Sequence, residues 1–166
     1  MRKFIILLVC ALLFIPVSCK AEQGDPFCVF DGDFVAGISV RCEDSECQIS
    51  YDSSRKSISF TSPGELDGYV MRLDNGVAYI RYDGVEIALS EYAGRLAFVC
   101  DAVFSVSADA ITDIIAKSSE DETLTVVKTE NVTYTFKKDG APVSACGYFD
   151  GIAFEMTFLS FTGVIE

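Results

Sequence analysis

Apolar and polar residues alternate along most of the chain. Between Phe34 and Cys42 every second side chain is apolar, while Ser39 and Arg41 fall on the opposite side. This spacing predicts a half-buried β-strand. The same alternation recurs before any helical spacing, at 47–51, 58–60, 69–73, 77–79 and 85–89. Turn-forming pairs such as Asn75-Gly76 and Asp83-Gly84 separate these segments, so we expect strands joined in sequence as antiparallel hairpins.

The spacing changes near residue 96. Apolar side chains then recur at intervals of three and four, as on one face of a helix, at Leu96, Val99, Cys100, Val103 and Phe104. The pattern continues through Ile111, Ile114 and Ile115 toward Lys117, which predicts one long helix or two short ones. Further alternating segments at 124–129, 132–137, 143–149 and 152–161 predict closing strands. The fold class is therefore mainly β with one helical region, an α+β fold.

The first residues have the pattern of an export signal. Met1-Arg2-Lys3 supplies positive charge, and 4–17 follow without a charged side chain. That apolar run is shorter than the ~20 residues of a spanning helix. The sequence Val17-Ser18-Cys19 resembles a bacterial lipobox, which implies cleavage before Cys19 and acylation of that cysteine, for example with palmitate. A soluble protein cut near Ala21 is the alternative.

This pattern divides the chain into three parts. Residues 1–18 are predicted to be a lipoprotein signal peptide, 19–26 an acylated cysteine with a short polar tether, and 27–166 a single domain. The expected location is the extracytoplasmic face of a bacterial membrane, to which the covalent lipid would anchor the protein.

Composition excludes several classes of function. The chain of 166 residues has 13 Lys and Arg against 25 Asp and Glu, for a formal charge of -12, which disfavours nucleic acid as a partner. It has no His, so serine–histidine and cysteine–histidine nucleophiles and His-ligated metals are excluded. We therefore predict no catalytic, cofactor-binding or metal-binding residues and expect a protein that is not an enzyme.

Five cysteines belong to the predicted domain: Cys28, Cys42, Cys47, Cys100 and Cys146. Cys42 and Cys47 flank a short acidic turn, and their spacing in a hairpin permits a disulfide. The alternative is that all five are small buried hydrophobic residues, and Cys100 and Cys146 both lie on otherwise apolar faces of the predicted elements. A zinc site is a third interpretation, for which one cysteine pair without His supplies too few ligands.

Several segments together resemble a group of small bacterial lipoproteins. They are 58–68 with its Ser-Pro-Gly turn, the hairpins up to Gly84, the helix, the turn at 138–142 and the closing segment 154–161. The bodies of these lipoproteins are similar to the outer-membrane lipoprotein carrier (LolA/LolB-like) fold. The resemblance implies an antiparallel, unclosed half-barrel with a helix packed on its concave face.

The same resemblance implies a function. In carrier-type relatives the space between sheet and helix admits acyl chains, so a lipid or other apolar ligand is expected in a groove beneath Leu96, Val99, Val103 and Phe104. Alternatively, aromatic and aliphatic side chains fill this space, and the protein is a solid-cored interaction or regulatory module whose partner is another envelope protein.

Overall fold

The computed structural model describes residues 25–42, 45–90, 93–118 and 123–163. The first hairpins comprise β1 (Phe34–Cys42), β2 (Ser45–Asp52), β3 (Ser57–Ser62), β4 (Val70–Asp74), β5 (Val77–Tyr82) and β6 (Val85–Ala88). Helix α1 (Arg95–Phe104) follows, and the chain then forms β7 (Asp113–Ser118), β8 (Thr123–Lys128), β9 (Val132–Lys137), β10 (Pro142–Phe149) and β11 (Ile152–Gly163). The mainly β fold with one α-helix is confirmed within these residues.

All the strands belong to one antiparallel sheet. Its order is β6-β5-β4-β3-β2-β1-β11-β10-β9-β8-β7, so each half of the chain forms a run of sequential hairpins and β1 pairs with β11 to join the halves. The outermost described strands, β6 and β7, do not pair with each other. The sheet is therefore an open half-barrel, as the resemblance implied.

Tight turns with the predicted chemistry connect several strands. Asp83 has φ 48° and Gly84 has φ 78°, the positive values that a two-residue hairpin loop of right-handed strands requires. Asn75-Gly76 has the same pair of positive φ angles. These short loops fix the hairpin register, and Tyr82 pairs directly with Val85 across the turn.

Helix α1 lies across one face of the sheet, which we call the inner face. Its first turn packs closely on β5, because a Cβ at Gly94 would collide with the Cβ of Ala78. The C-terminal half of the helix is tied to the β2–β3 turn by an ion pair of 2.8 Å between Lys56 Nζ and Asp101 Oδ1. The buried side carries Ala97, Val99, Cys100, Val103 and Phe104.

An aromatic cluster fills the centre of the inner face. The Phe104 ring stacks on Tyr51 with centroids 4.5 Å apart and meets Phe34 edge-on at 5.2 Å. Phe30, from a short 3-10 turn that precedes β1, meets Phe104 at 5.3 Å. Edge-to-face and offset aromatic pairs stabilise a core beyond the area that they bury. The C-terminal half of the helix is thereby packed onto the sheet through side chains of β1, β2 and the N-terminal segment.

The helix predicted for Ile111–Lys117 is wrong. Residues 113–118 are strand β7, in which Ile114 pairs with Val127 and Ala116 with Thr125 of β8. Three isoleucines in seven residues disfavour a helix because branching at Cβ restricts χ1. Pairing with β8 satisfies the backbone of this segment, whereas a helix this short would be marginal in itself.

The last strand of the first half is more exposed than its alternation predicts. Val85 and Ile87 of β6 keep 62% and 58% of their surface accessible, although they lie on the inner face. Helix α1 covers β5 at Ala78 but leaves these two side chains uncovered. The expectation of a half-buried strand is therefore wrong for β6.

Candidate functional site

A cavity of about 500 Å³ opens on the inner face, beside strands β7, β8 and β9. Its lining combines three parts of the chain, namely the segment before β1, the β7–β9 strands and the β9–β10 hairpin. The apolar contributions come from Pro26, Val29, Ile114, Ala116 and Phe136. This volume lies within the range of ~300–1,000 Å³ that is usual for small-molecule pockets.

The strands form the floor of this cavity, which we call the β7–β9 cavity. Ala116 pairs with Thr125, and Thr125 pairs with Phe136, so one row of side chains crosses three strands on the inner face. Ile114 lies on the same side of β7, two residues away. Because β7 is the edge strand, the cavity is open along one flank.

The segment before β1 forms the roof. Phe27 is 1% exposed, and its ring meets the edges of Tyr134 and Phe136 at 4.9 and 5.9 Å. The Phe27 backbone N–H donates to Asp25 Oδ1 at 2.9 Å, which fixes the turn before it. With Phe27 held in the core, Pro26 and Val29 face the cavity.

The mouth of the cavity is polar. Lys137, Lys138, Asp139 and Asp25 contribute to its lining. The Ala141 N–H donates to Asp139 Oδ1 at 3.1 Å and stabilises the β9–β10 turn. The site therefore combines an apolar interior with charges of both signs at the rim, which suits an amphiphile whose head group stays in water.

The predicted groove residues lie elsewhere on the inner face. Val99, Val103 and Phe104 are buried and Leu96 is half-buried, and none of the four contributes to the β7–β9 cavity. Aromatic side chains occupy the space between this end of the helix and the sheet. The described cavity is displaced from the helix toward the strand edge.

A buried hydrogen bond closes the end of the helix against β9. The Tyr134 hydroxyl donates to the carbonyl oxygen of Val103 at 3.1 Å. Burial raises the pKa of Tyr134, so the hydroxyl keeps its proton and its role as donor throughout the physiological range. This bond satisfies one carbonyl in the last helical turn.

Another cavity, of about 690 Å³, lies toward the outer face near β10 and β11. Its lining includes Arg41, Glu130, Cys146 and Glu155, and an ion pair of 3.6 Å joins Arg41 to Glu155. Burying such charges against an apolar chain would cost their hydration. The lining of this cavity is thus less suited to an apolar ligand than that of the β7–β9 cavity.

The cysteines of the domain occupy different environments. Cys100 is completely buried in α1, and burial raises the pKa of its thiol, with smaller contributions from Cys47 and Cys42. Cys42 and Cys47 are half-buried and lie diagonally on β1 and β2, because Cys42 pairs with Ser45 and Cys47 with Val40. Cys28 and Cys146 are exposed, so the alternative interpretation that all five are buried is wrong, including the burial of Cys146 on an apolar face.

The disulfide between Cys42 and Cys47 stays a prediction, and counting thiols tests it. We expect three alkylatable thiols in the denatured, unreduced mature protein, at Cys28, Cys100 and Cys146. On the entropic model such a short loop stabilises the fold by about 2 kcal/mol. Peptide mapping after alkylation identifies the protected pair. Alkylation of all five domain cysteines would contradict the prediction.

Other predicted features are outside the described residues or find no counterpart within them. The signal peptide and Cys19 precede residue 25, where the described part begins. Across the described residues, no group of three or more His, Cys, Asp or Glu side chains could hold a metal ion. No helix in the same part of the chain is long and apolar enough to cross a membrane.

The residues that form the cavity were not predicted from the sequence. Asp25 and Pro26 were assigned to the tether, and Ile114 and Ala116 to a helix. The available signal was Phe27, a large apolar residue next to a turn, which indicates that folded structure begins before β1. Residues of 25–29 and of β7 line the same cavity although they are far apart in the sequence, and no local pattern reports that proximity.

Solved structures with the same architecture were found, whereas no protein-family model and no curated protein matches the sequence. Lipoprotein LppX from Mycobacterium tuberculosis is 11% identical, with 88% of this chain and 96% of that chain covered and a TM-score of 0.50. LprF from Mycobacterium bovis is 7% identical, with 87% and 91% covered and a TM-score of 0.43. A LolA superfamily protein from Nitrosomonas europaea is 11% identical, with 79% and 85% covered and a TM-score of 0.34.

These comparisons concern the fold. Together with the open antiparallel sheet and the helix on its inner face, the likeness to LppX shows that the chain has a LolA-like fold. The structural resemblance inferred from the sequence is confirmed. A shared fold at such low identity carries no function with it, so function has to be argued from the β7–β9 cavity itself.

Proposed function

We propose that this protein is an extracytoplasmic, membrane-anchored lipoprotein that binds an apolar chain, such as the acyl chain of a lipid, in the β7–β9 cavity. The observation that carries the proposal is the cavity of about 500 Å³ with an apolar interior and a charged rim. The export signal and lipobox at Cys19 support the location and the anchor. The LolA-like fold of LppX, a lipoprotein, is consistent with both.

The lining predicts what the ligand looks like. Ile114, Ala116 and Phe136 offer no hydrogen-bonding side chains, so the interior favours methylene groups over polar ones. Eight buried methylenes at about 0.8 kcal/mol each give roughly 6 kcal/mol before the cost of association. At the mouth, Lys137 and Lys138 offer ammonium groups to a polar head group and Asp139 offers a carboxylate, so the rim suits a head group that carries charge of either sign.

No catalytic role is part of this proposal. With no His in the sequence, nucleophile–base pairs that use His are absent. The two carboxylates of the lining, Asp25 and Asp139, are at the rim, where each accepts a hydrogen bond from a backbone N–H. The side chains of the lining can bind an apolar chain without reacting with it. Binding and presenting an apolar chain is the activity that this lining supports best.

Titration of a fluorescent fatty acid into the unacylated mature chain, residues 19–166 with Cys19→Ser, tests the proposal. We expect saturable binding in the micromolar range. Ala116→Phe places an aromatic ring on the cavity floor at an exposed position of an edge strand and should weaken binding at least tenfold. Ala153→Phe is the matched control, because Ala153 is also exposed but lies on the outer face, where it lines the other cavity, so that this variant reports binding there.

The outcomes of this titration separate two functions. Loss of binding in Ala116→Phe with retention in Ala153→Phe supports the cavity. No saturable uptake by the unsubstituted chain at tens of micromolar probe would contradict ligand binding. That result would favour the solid-cored interaction module, for which the filled space beneath Val103 and Phe104 is the supporting observation.

A further inference from the structure

The N-terminal tether leaves the domain at the rim of the β7–β9 cavity. Asp25 and Pro26 are part of the cavity lining, and Asp25 is also the first described residue. Two hydrogen bonds hold this exit point in place, from the N–H of Phe27 to Asp25 Oδ1 at 2.9 Å and from the N–H of Cys28 to the Asp25 carbonyl at 3.2 Å. The chain that precedes Asp25 therefore joins the domain beside the mouth of the cavity.

The tether is short. Cys19 precedes Asp25 by six residues, and an extended chain spans at most ~3.6 Å per residue, so Cys19 stays within roughly 20 Å of the rim. Short flexible linkers give roughly millimolar effective concentrations for an attached ligand. A group on Cys19 would thus compete strongly with a free ligand that binds in the micromolar range.

An acyl group on Cys19 also has a physical reason to enter the cavity. Away from a bilayer, each exposed methylene costs about 0.8 kcal/mol relative to an apolar environment. The β7–β9 cavity has the end of the tether at its rim, and its volume of about 500 Å³ lies within the ~300–1,000 Å³ of ligand pockets. The tether joins the domain at the cavity rim, it is short, and the cavity has an apolar lining. These three features together favour an acyl group on Cys19 as the occupant.

We propose that, in water, the β7–β9 cavity holds an acyl chain of the protein's own Cys19 anchor. This inference rests on the proposed function, since it requires both the anchor and the cavity. The attached chain would exclude other apolar ligands while the protein is away from a membrane. Once the anchor enters a bilayer the cavity becomes vacant, so outside ligands would bind only at the membrane surface.

The experiment compares two forms of the same mature chain in detergent-free buffer. One is the acylated protein from its native membrane, and the other is the Cys19→Ser chain of residues 19–166. Intact mass first shows whether Cys19 carries acyl groups. Both forms are then titrated with the fluorescent fatty acid. We expect the acylated form to bind the probe at least tenfold more weakly than the Cys19→Ser chain.

Acylated Ala116→Phe and Ala153→Phe proteins supply a second readout. If the anchor lies in the cavity, Ala116→Phe expels it, and that variant should self-associate in sedimentation while the Ala153→Phe control stays monomeric. Equal probe affinity of the acylated and Cys19→Ser forms would overturn the inference and leave the proposed function intact. Failure of the Cys19→Ser chain to bind the probe, or an unmodified mass at Cys19, would overturn both.

Discussion

Replacement of Phe104 by alanine is expected to lower the free energy of unfolding by about 3–5 kcal/mol, the usual cost of deleting a buried aromatic ring. Phe104 is 8% exposed and stacks on Tyr51 at a centroid distance of 4.5 Å. It also contacts Phe30 and Phe34 at 5.3 and 5.2 Å, so its ring joins the helix to the sheet and to the N-terminal segment. No other side chain of α1 takes part in so many described ring contacts.

Urea denaturation followed by circular dichroism measures this effect. The control is Tyr148→Ala, because Tyr148 lies on the outer face with 66% of its surface exposed, and its loss should change stability by no more than about 0.5 kcal/mol. A domain of this kind has ~5–15 kcal/mol of stability, so the Phe104 variant should retain enough structure to measure. Equal midpoints for the two variants would show that the end of α1 is not packed in the core.

Replacement of Phe27 by alanine should have the second largest effect, and it acts on the site as well. Phe27 anchors 25–31 through its contacts with Tyr134 and Phe136. We expect a loss of about 3 kcal/mol from its buried ring. Because Pro26 and Val29 form the roof, probe affinity of the β7–β9 cavity should fall at least tenfold.

Hydrogen exchange and the fatty-acid titration check this prediction together. In Phe27→Ala the amide of Phe30, which donates to the Phe27 carbonyl at 2.8 Å, should lose protection, whereas the β1–β11 ladder should retain it. Phe27→Leu is the control, since it keeps an apolar side chain at the anchor and should retain most of the binding. If the amides of 25–31 exchange freely in Phe27→Ala and the probe still binds with undiminished affinity, this segment is not the roof of the β7–β9 cavity.

The strands were predictable because their signal is local. The alternation in Phe34–Cys42 and the Asp83-Gly84 turn each define a structure within a few residues, and both agree with β1 and with the β5–β6 hairpin. Strand β7 was not predictable in this way. Ile111, Ile114 and Ile115 fit helical spacing, and only pairing with β8 makes the segment extended.

The candidate site was less predictable than the fold. The groove was expected beneath Val103 because the resemblance to the outer-membrane lipoprotein carrier fold implied a ligand there, but Phe104 and its aromatic neighbours fill the adjacent space. The β7–β9 cavity is lined by Val29 of the segment before β1 and by Ile114 of the edge strand, which lie far apart in the sequence. The sheet brings these distant segments together through the β1–β11 pairing. The alternation in each of these strands predicts a strand but does not say which strand it pairs with.

The most direct test of the β7–β9 cavity is to locate a bound chain by photo-crosslinking. A fatty acid with a terminal diazirine is added to the unacylated chain of residues 19–166 with Cys19→Ser, irradiated, and mapped by peptide mass spectrometry. We predict saturable labelling within 25–29, 113–118 and 123–140. The label should be lost in Ala116→Phe and retained in Ala153→Phe. Label concentrated in α1 at 96–104, or on the outer face of β10 and β11, would contradict the account.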